Sequence, residues 1–168
     1  LTVPMQEALA CLREDGKAIV LAAEGTRCLG VLALSDTLRP EAKAMVERLH
    51  EMEVHIVLLT GDNEAAAASF ARQVGIDEVC AELLPEEKVA HIKNLQEQGR
   101  KVLMCGDGVN DAPALKTADV SAAMGAMGSD IAVEAADIAL MRDDVMQIPY
   151  LKRLSDATAT TIRLSITL

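Results

Sequence analysis

A chain of 168 residues with 51% apolar content is long enough to bury one core of ordinary size, yet it holds one Phe, one Tyr and no Trp. That core must therefore be built from Leu, Ile, Val, Ala and Met. A net charge of −10 argues against nucleic acid or an anionic membrane surface as a partner. The scattered Cys11, Cys28, Cys80 and Cys105 form no Cys-x-x-Cys, which argues against a disulfide frame or zinc site and for reduced thiols in a cytoplasmic setting. No signal peptide is visible, and no apolar run approaches the ~20 residues of a spanning helix.

In chain order, residues 4–14 carry Met5, Ala8, Leu9 and Leu12 on one helical face, with Pro4 near the start. Two apolar runs, 18–23 and 27–34, flank Glu24-Gly25 and predict a hairpin. From Asp36 the pattern alternates between helix and strand. Helix 40–52 starts at Pro40 and places Met45, Val46, Leu49 and Met52 on one stripe. It is followed by strand 54–59, helix 63–74 ended by Gly75, strand 78–81, helix 86–98 ended by Gly99 and strand 101–105. A short helix near 111–117, strands near 119–123 and 137–141, and a long helix from about 144 complete the chain, whose last residues, 162–168, turn apolar. Continuous apolar strands between helices predict an α/β fold, a parallel sheet covered on both faces.

Ligands of such sheets bind at the carboxyl ends of the strands, where Thr60, Asp62, Asp107 and Asp111 all fall. Val102-Leu103-Met104 runs directly into Cys105-Gly106-Asp107-Gly108-Val109-Asn110-Asp111-Ala112-Pro113. Two carboxylates and an amide on one loop repel unless a cation lies among them, and hard oxygens with open positions suit Mg²⁺. Thr60-Gly61-Asp62-Asn63 ends a second strand at a helix start, where a hydroxyl, a glycine and exposed N–H groups suit an anion. The same four residues also favour ordinary caps and turns. Lys88 lies in the first turn of a helix opened by Pro85-Glu86-Glu87, against the helix macrodipole, which hints at a nearby anion or marks a surface lysine.

In order and spacing, Thr60-Gly61-Asp62-Asn63, Leu84-Pro85-Glu86-Glu87-Lys88 and Gly106-Asp107-Gly108-Val109-Asn110-Asp111-Ala112-Pro113 resemble the phosphorylation domain of P-type ATPases, in the haloacid dehalogenase superfamily. The likeness covers nearly the whole chain, including Asp36-Thr37-Leu38-Arg39-Pro40. Ala123-Met124-Gly125-Ala126-Met127-Gly128-Ser129-Asp130 through Asp137 resembles the heavy-metal branch, worded most like zinc, cadmium and lead exporters, with copper pumps next. The resemblance implies a Rossmann-like haloacid dehalogenase fold, with Asp107 and Asp111 on Mg²⁺. It also implies Lys88 and Asn110 on phosphoryl oxygens, Thr60 and Gly61 donating to them, and Asp62 and Asn63 toward the nucleotide. Asp36 and Arg39 would lie at the hinge between two cytoplasmic domains. ATP and a heavy-metal cation are the implied partners, acting through a parent protein at the cytoplasmic face of the cell membrane whose transmembrane helices are absent here.

The family's phosphorylated aspartate lies in Asp-Lys-Thr-Gly-Thr, and no Asp-Lys-Thr occurs in the 168 residues. The expectation is therefore a C-terminal part of a pump's cytoplasmic region. Residues 1–35 would be the tail of the nucleotide-binding domain, 36–150 a phosphorylation domain lacking its nucleophile strand, and 151–168 a helix leading toward the membrane. If that missing strand belongs between 54–59 and 101–105, either strand 28–34 fills the gap or the chain is only marginally stable. Two other readings stay open: a small haloacid dehalogenase phosphatase with Asp36, at the end of the apolar run 30–35, as nucleophile, although Leu38 stands where such enzymes carry an acid or hydroxyl; and a non-catalytic module that binds Mg²⁺ and phosphate.

Overall fold

The computed structural model describes residues 3–14, 17–34, 37–106, 109–125 and 130–167. Helix α1 (Val3–Glu14) is followed by the strands β1 (Ala18–Glu24) and β2 (Arg27–Leu34), paired antiparallel as the two apolar runs predict. Gly25 turns the hairpin with φ of 57°. A register shift between Ala22 and Ala23 leaves one extra residue on β2.

After the hairpin come α2 (Ala42–His50), β3 (Val57–Leu59), α3 (Glu64–Val74), β4 (Glu78–Cys80), α4 (Pro85–Glu97) and β5 (Leu103–Gly106). A 3₁₀ turn, Val109–Asp111, leads into α5 (Ala112–Thr117). Then follow β6 (Val120–Met124), α6 (Asp130–Ala135), β7 (Ile138–Leu140) and α7 (Gln147–Thr167). The strands β3, β4, β5 and β7 are shorter than their apolar runs, because the paired residues alone count as strand. Helix α6 was not anticipated: Asp130-Ile131-Ala132-Val133-Glu134-Ala135 is too short to show a helical period.

Strands β3 and β4 pair in parallel, and β5, β6 and β7 form a second parallel sheet in that order. Among the described residues, β3 and β5 each keep one hydrogen-bonding edge without a neighbouring strand. Strand β2 does not supply it, since its partner is β1.

The core is made of small and branched residues, as the composition requires. Ala42, Val46 and Val74 form a buried cluster against which Leu38, Met45, Ile56 and Ile76 pack. Gly75, in the left-handed region at φ 86°, ends α3 where a β-carbon would strain the backbone. Ile92 of α4 and Leu115 of α5 are each 1% exposed, and the helices α4 and α5 pack together. Ser121 is the buried polar residue of the centre. Its hydroxyl and amide both donate to Asp137 Oδ2, each at 2.9 Å, and Asp137 N–H donates back to Ser121 Oγ at 3.1 Å. That exchange ties β6 to β7 and gives Asp137 a structural task.

Two regions stand apart. The hairpin leaves Val20, Leu29, Leu32 and Leu34 between 48% and 61% exposed. The last turns of α7, residues 153–166, are exposed throughout. Among the described residues, no helix is long and apolar enough to cross a membrane.

Candidate functional site

Strand β3 ends at Leu59, and the chain turns through Thr60-Gly61-Asp62-Asn63 into α3. The turn is braced by the segment that follows β4. Thr60 N–H donates to the Cys80 carbonyl at 3.0 Å, Leu83 N–H to the Thr60 carbonyl at 3.0 Å, and Glu82 N–H to the Asp62 carbonyl at 2.8 Å. Glu82 adopts φ 56° to make the last of these bonds. Thr60 Oγ1 donates to Asp62 Oδ2 at 2.8 Å and accepts from Asp62 N–H at 3.1 Å. Asn63 is the N-cap of α3, with Oδ1 accepting from Ala66 N–H at 2.9 Å. The ordinary cap accounts for Asn63, whereas Thr60 and Gly61 stay at an exposed strand end next to a helix start.

The braced segment then opens α4. Glu87 caps it by accepting from Leu84 N–H at 2.8 Å, and Pro85 takes the first helical position, where a missing N–H costs nothing. Lys88 extends from this first turn to Asp111, with Nζ 2.8 Å from Oδ1. Only 14% of the Lys88 side chain and 16% of the Asp111 side chain are exposed. The anion hinted at by a lysine in the wrong half of a helix is thus a carboxylate of the chain itself. Removing either partner would strand the other charge in a poorly solvated place.

Asp111 is held from its other side by the end of β5. A β-carbon on Gly106 would lie 2.9 Å from Asp111 Cβ and 3.0 Å from Oδ2, so only glycine lets the carboxylate approach the backbone this closely. Asn110 lies in the same 3₁₀ turn and is exposed. Cys105 is half-buried, and the desolvation pushes its thiol up to about 11, far from a reactive thiolate.

Beside Asp111 opens a cleft of about 300 Å³. Cys105, Gly106 and Asp111 line it from β5 and its turn; Arg39, Asp143 and Ile148 line it from the lead into α2 and the start of α7. Arg39 grips Asp143 with both ends of its guanidinium, Nη2 to Oδ2 at 2.8 Å and Nη1 to the backbone carbonyl at 3.0 Å. The sequence reading missed Asp143. Asp143-Asp144 does follow the apolar run of β7, but nothing local to it tells of Arg39, 104 positions earlier.

Lys88 and Asp111 are therefore brought into contact, and Thr60 through Asn63 lie at the carboxyl end of β3, in the other parallel sheet. Arg39 is on the rim of the same cleft as Asp111. Asp36 and Asp107 lie outside the described residues. For Mg²⁺, the cleft offers the carboxylates of Asp111 and Asp143, and each already has an oxygen engaged, by Lys88 and Arg39 respectively. Among the described residues, no group of three or more His, Cys, Asp or Glu side chains could hold a metal ion.

A sequence profile for haloacid dehalogenase-like hydrolases matches residues 3–119. A copper-exporting P-type ATPase of Staphylococcus aureus (strain MW2) is 47% identical over 155 residues, which is 92% of this chain and 19% of that protein. The chain thus spans about a fifth of the length of this curated relative. In the structure of a zinc-transporting PIB-type ATPase in the E2.Pi state, a region 40% identical superposes with a TM-score of 0.87, covering 97% of this chain and 26% of that one. The catalytic domain of the CPx-ATPase CopB-B is 38% identical with a TM-score of 0.65, over 80% of this chain and 57% of that one.

Proposed function

We propose a function from the premise that this chain belongs to the haloacid dehalogenase-like hydrolase family: it is the C-terminal part of the cytoplasmic catalytic region of a heavy-metal-transporting P-type ATPase. It carries the phosphate-binding side of the phosphorylation site without the acceptor aspartate. The observation that carries this reading is the sheltered Lys88–Asp111 pair at the carboxyl end of β5, together with the one open edge that β3 and β5 each keep among the described residues. Those open edges suit an acceptor strand contributed from elsewhere in a parent protein.

Phosphoryl transfer needs positioning and charge neutralisation more than covalent help from many groups. In the proposed role, Lys88 presents its ammonium to a phosphoryl oxygen, and Asp111 holds that ammonium in place until the phosphate competes for it. Thr60 reorients its hydroxyl from Asp62 toward the phosphate, while Gly61 offers its amide and Asn110 its side chain. Asp62 and Asn63 face the nucleotide side. Asp107 and Asp111 are the carboxylates proposed to hold Mg²⁺, which when bound would offset phosphate charge. Residues 1–35 then belong to the nucleotide-binding domain and 36–150 to the phosphorylation domain, with 151–168 leading toward the membrane at its cytoplasmic face. ATP and a transition-metal cation are the parent's substrates, with zinc, cadmium and copper the ions to test.

The test is acid-quenched trapping with labelled acetyl phosphate and Mg²⁺, which needs no nucleotide domain. The chain alone is expected to take up no label. Hydroxylamine-labile label that vanishes in Asp36→Asn would instead make it a small phosphatase with Asp36 as nucleophile, and would overturn the proposal.

A further inference from the structure

Arg39 and Asp143 are separated by 104 positions in the chain, yet they meet through two hydrogen bonds. Each adjoins the start of a helix. The Arg39 carbonyl accepts from Ala42 N–H at 3.0 Å, which fixes the entry of α2. Asp144 follows Asp143 and organises the entry of α7: its Oδ1 accepts from Met146 N–H at 2.9 Å and its carbonyl from Gln147 N–H at 3.1 Å. The helices α2 and α7 pack on each other. Beyond Arg153 nothing in the described chain covers α7, so the orientation of its exposed length is set at this base.

We infer that Asp143 is a positioning residue: by gripping Arg39 it makes the segment 37–42 and the base of α7 one rigid strut along the cleft beside Asp111. A guanidinium fork suits this task better than a point charge, because two bonds to one residue fix direction as well as distance. Filling or emptying of the cleft would then be felt at both helix entries together. The link to the joint between domains rests on the proposed function, whereas the strut itself needs no nucleotide, metal or phosphate.

Hydrogen exchange of the whole chain tests it, read at the amides of Ala42, Met146, Gln147 and Ile148, with α3 as reference. An exposed pair is worth up to about 1 kcal/mol, so Arg39→Ala should speed exchange at both helix entries by about fivefold and leave α3 unchanged. Asp143→Ala should do the same, and the double variant no more than either single one. Asp144→Ala should loosen only the α7 side. Faster exchange in Arg39→Ala confined to Ala42, additive effects in the double variant, or a uniform change that includes α3 would each overturn the strut. Because no ligand enters the assay, such a failure would leave the proposed function standing, and absence or presence of phosphate label would leave the strut untouched.

Discussion

The α/β body and the β1–β2 hairpin dispose of their apolar residues differently. In the body, Ile92, Leu115 and Val46 are each 1% exposed, and polar groups such as Ser121 close on partners within the chain. In the hairpin, Leu32 and Leu34 are 61% and 59% exposed, and among the described residues the two strands have no third neighbour. A two-stranded ribbon buries too little to stand by itself, and here β1 packs against α1. The contrast teaches that the body's apolar residues bury one another, whereas those of the hairpin stay largely in solvent among the described residues.

The largest expected effect sharpens that contrast directly. Ile92→Ala removes atoms from a filled site and should cost about 4 kcal/mol, transfer and cavity terms together. Leu32→Ala removes atoms already in water and should cost less than about 0.5 kcal/mol. Urea denaturation of both variants decides the matter. A cost at Leu32 close to that at Ile92 would mean that the hairpin packs on the body, and the comparison would break.

Next comes the polar centre of the body. Lys88→Met keeps the apolar stem and removes the ammonium, leaving the Asp111 carboxylate against Gly106 with little water; the expected loss is about 3 kcal/mol. Adding Asp111→Leu should recover much of it, because the stranded charge goes with its partner. Thermal unfolding of the single and double variants checks this. Equal losses in both would show that packing, and not the unpaired charge, sets the cost.

Much of this was legible in the sequence because the periods are clean. The stripe of α2 and the Gly75 stop of α3 appear where the pattern puts them. The carboxyl-end placement of Thr60, Asp62 and Asp111 follows from strand-then-turn order alone. The position of Lys88 against the helix dipole hinted at an anion but fitted a surface lysine as well, and the partner was not readable, since Asp111 lies 23 residues on and only tertiary packing joins them. Asp143 escaped for a like reason. Its meaning depends on Arg39, 104 residues earlier, and no local pattern encodes so distant a pair. The β1–β2 hairpin was legible from its two apolar runs, but the division of the parallel strands into two sheets was not, since which edges pair is decided by tertiary contacts.

The smallest effect concerns the edge of the body opposite the candidate site, where the chain enters β5. Asp119 accepts there from Lys101 Nζ at 2.7 Å, from Val102 N–H at 3.1 Å and from Gln96 Nε2 at 3.1 Å. The Lys101 ammonium foremost, then the Val102 and Gln96 donors, hold its carboxyl at about 2, below the ordinary 3.8. A carboxylate with a lowered pKa binds fewer protons folded than unfolded between those values, so its stabilisation is complete above about pH 4 and fades as pH falls toward 2. Asp77 is lowered too, chiefly by Ile56 N–H and then by His50, and it adds to the same acid limb. The share of Asp119 is therefore the difference between the chain and Asp119→Asn. Between pH 4 and 2 the midpoint of thermal unfolding should fall more steeply in the parent chain than in the variant, and the two curves should run parallel above pH 5. Equal slopes for the chain and Asp119→Asn would mean that the charge on Asp119 contributes nothing to fastening β5, and that Val102 is held by the backbone ladder alone.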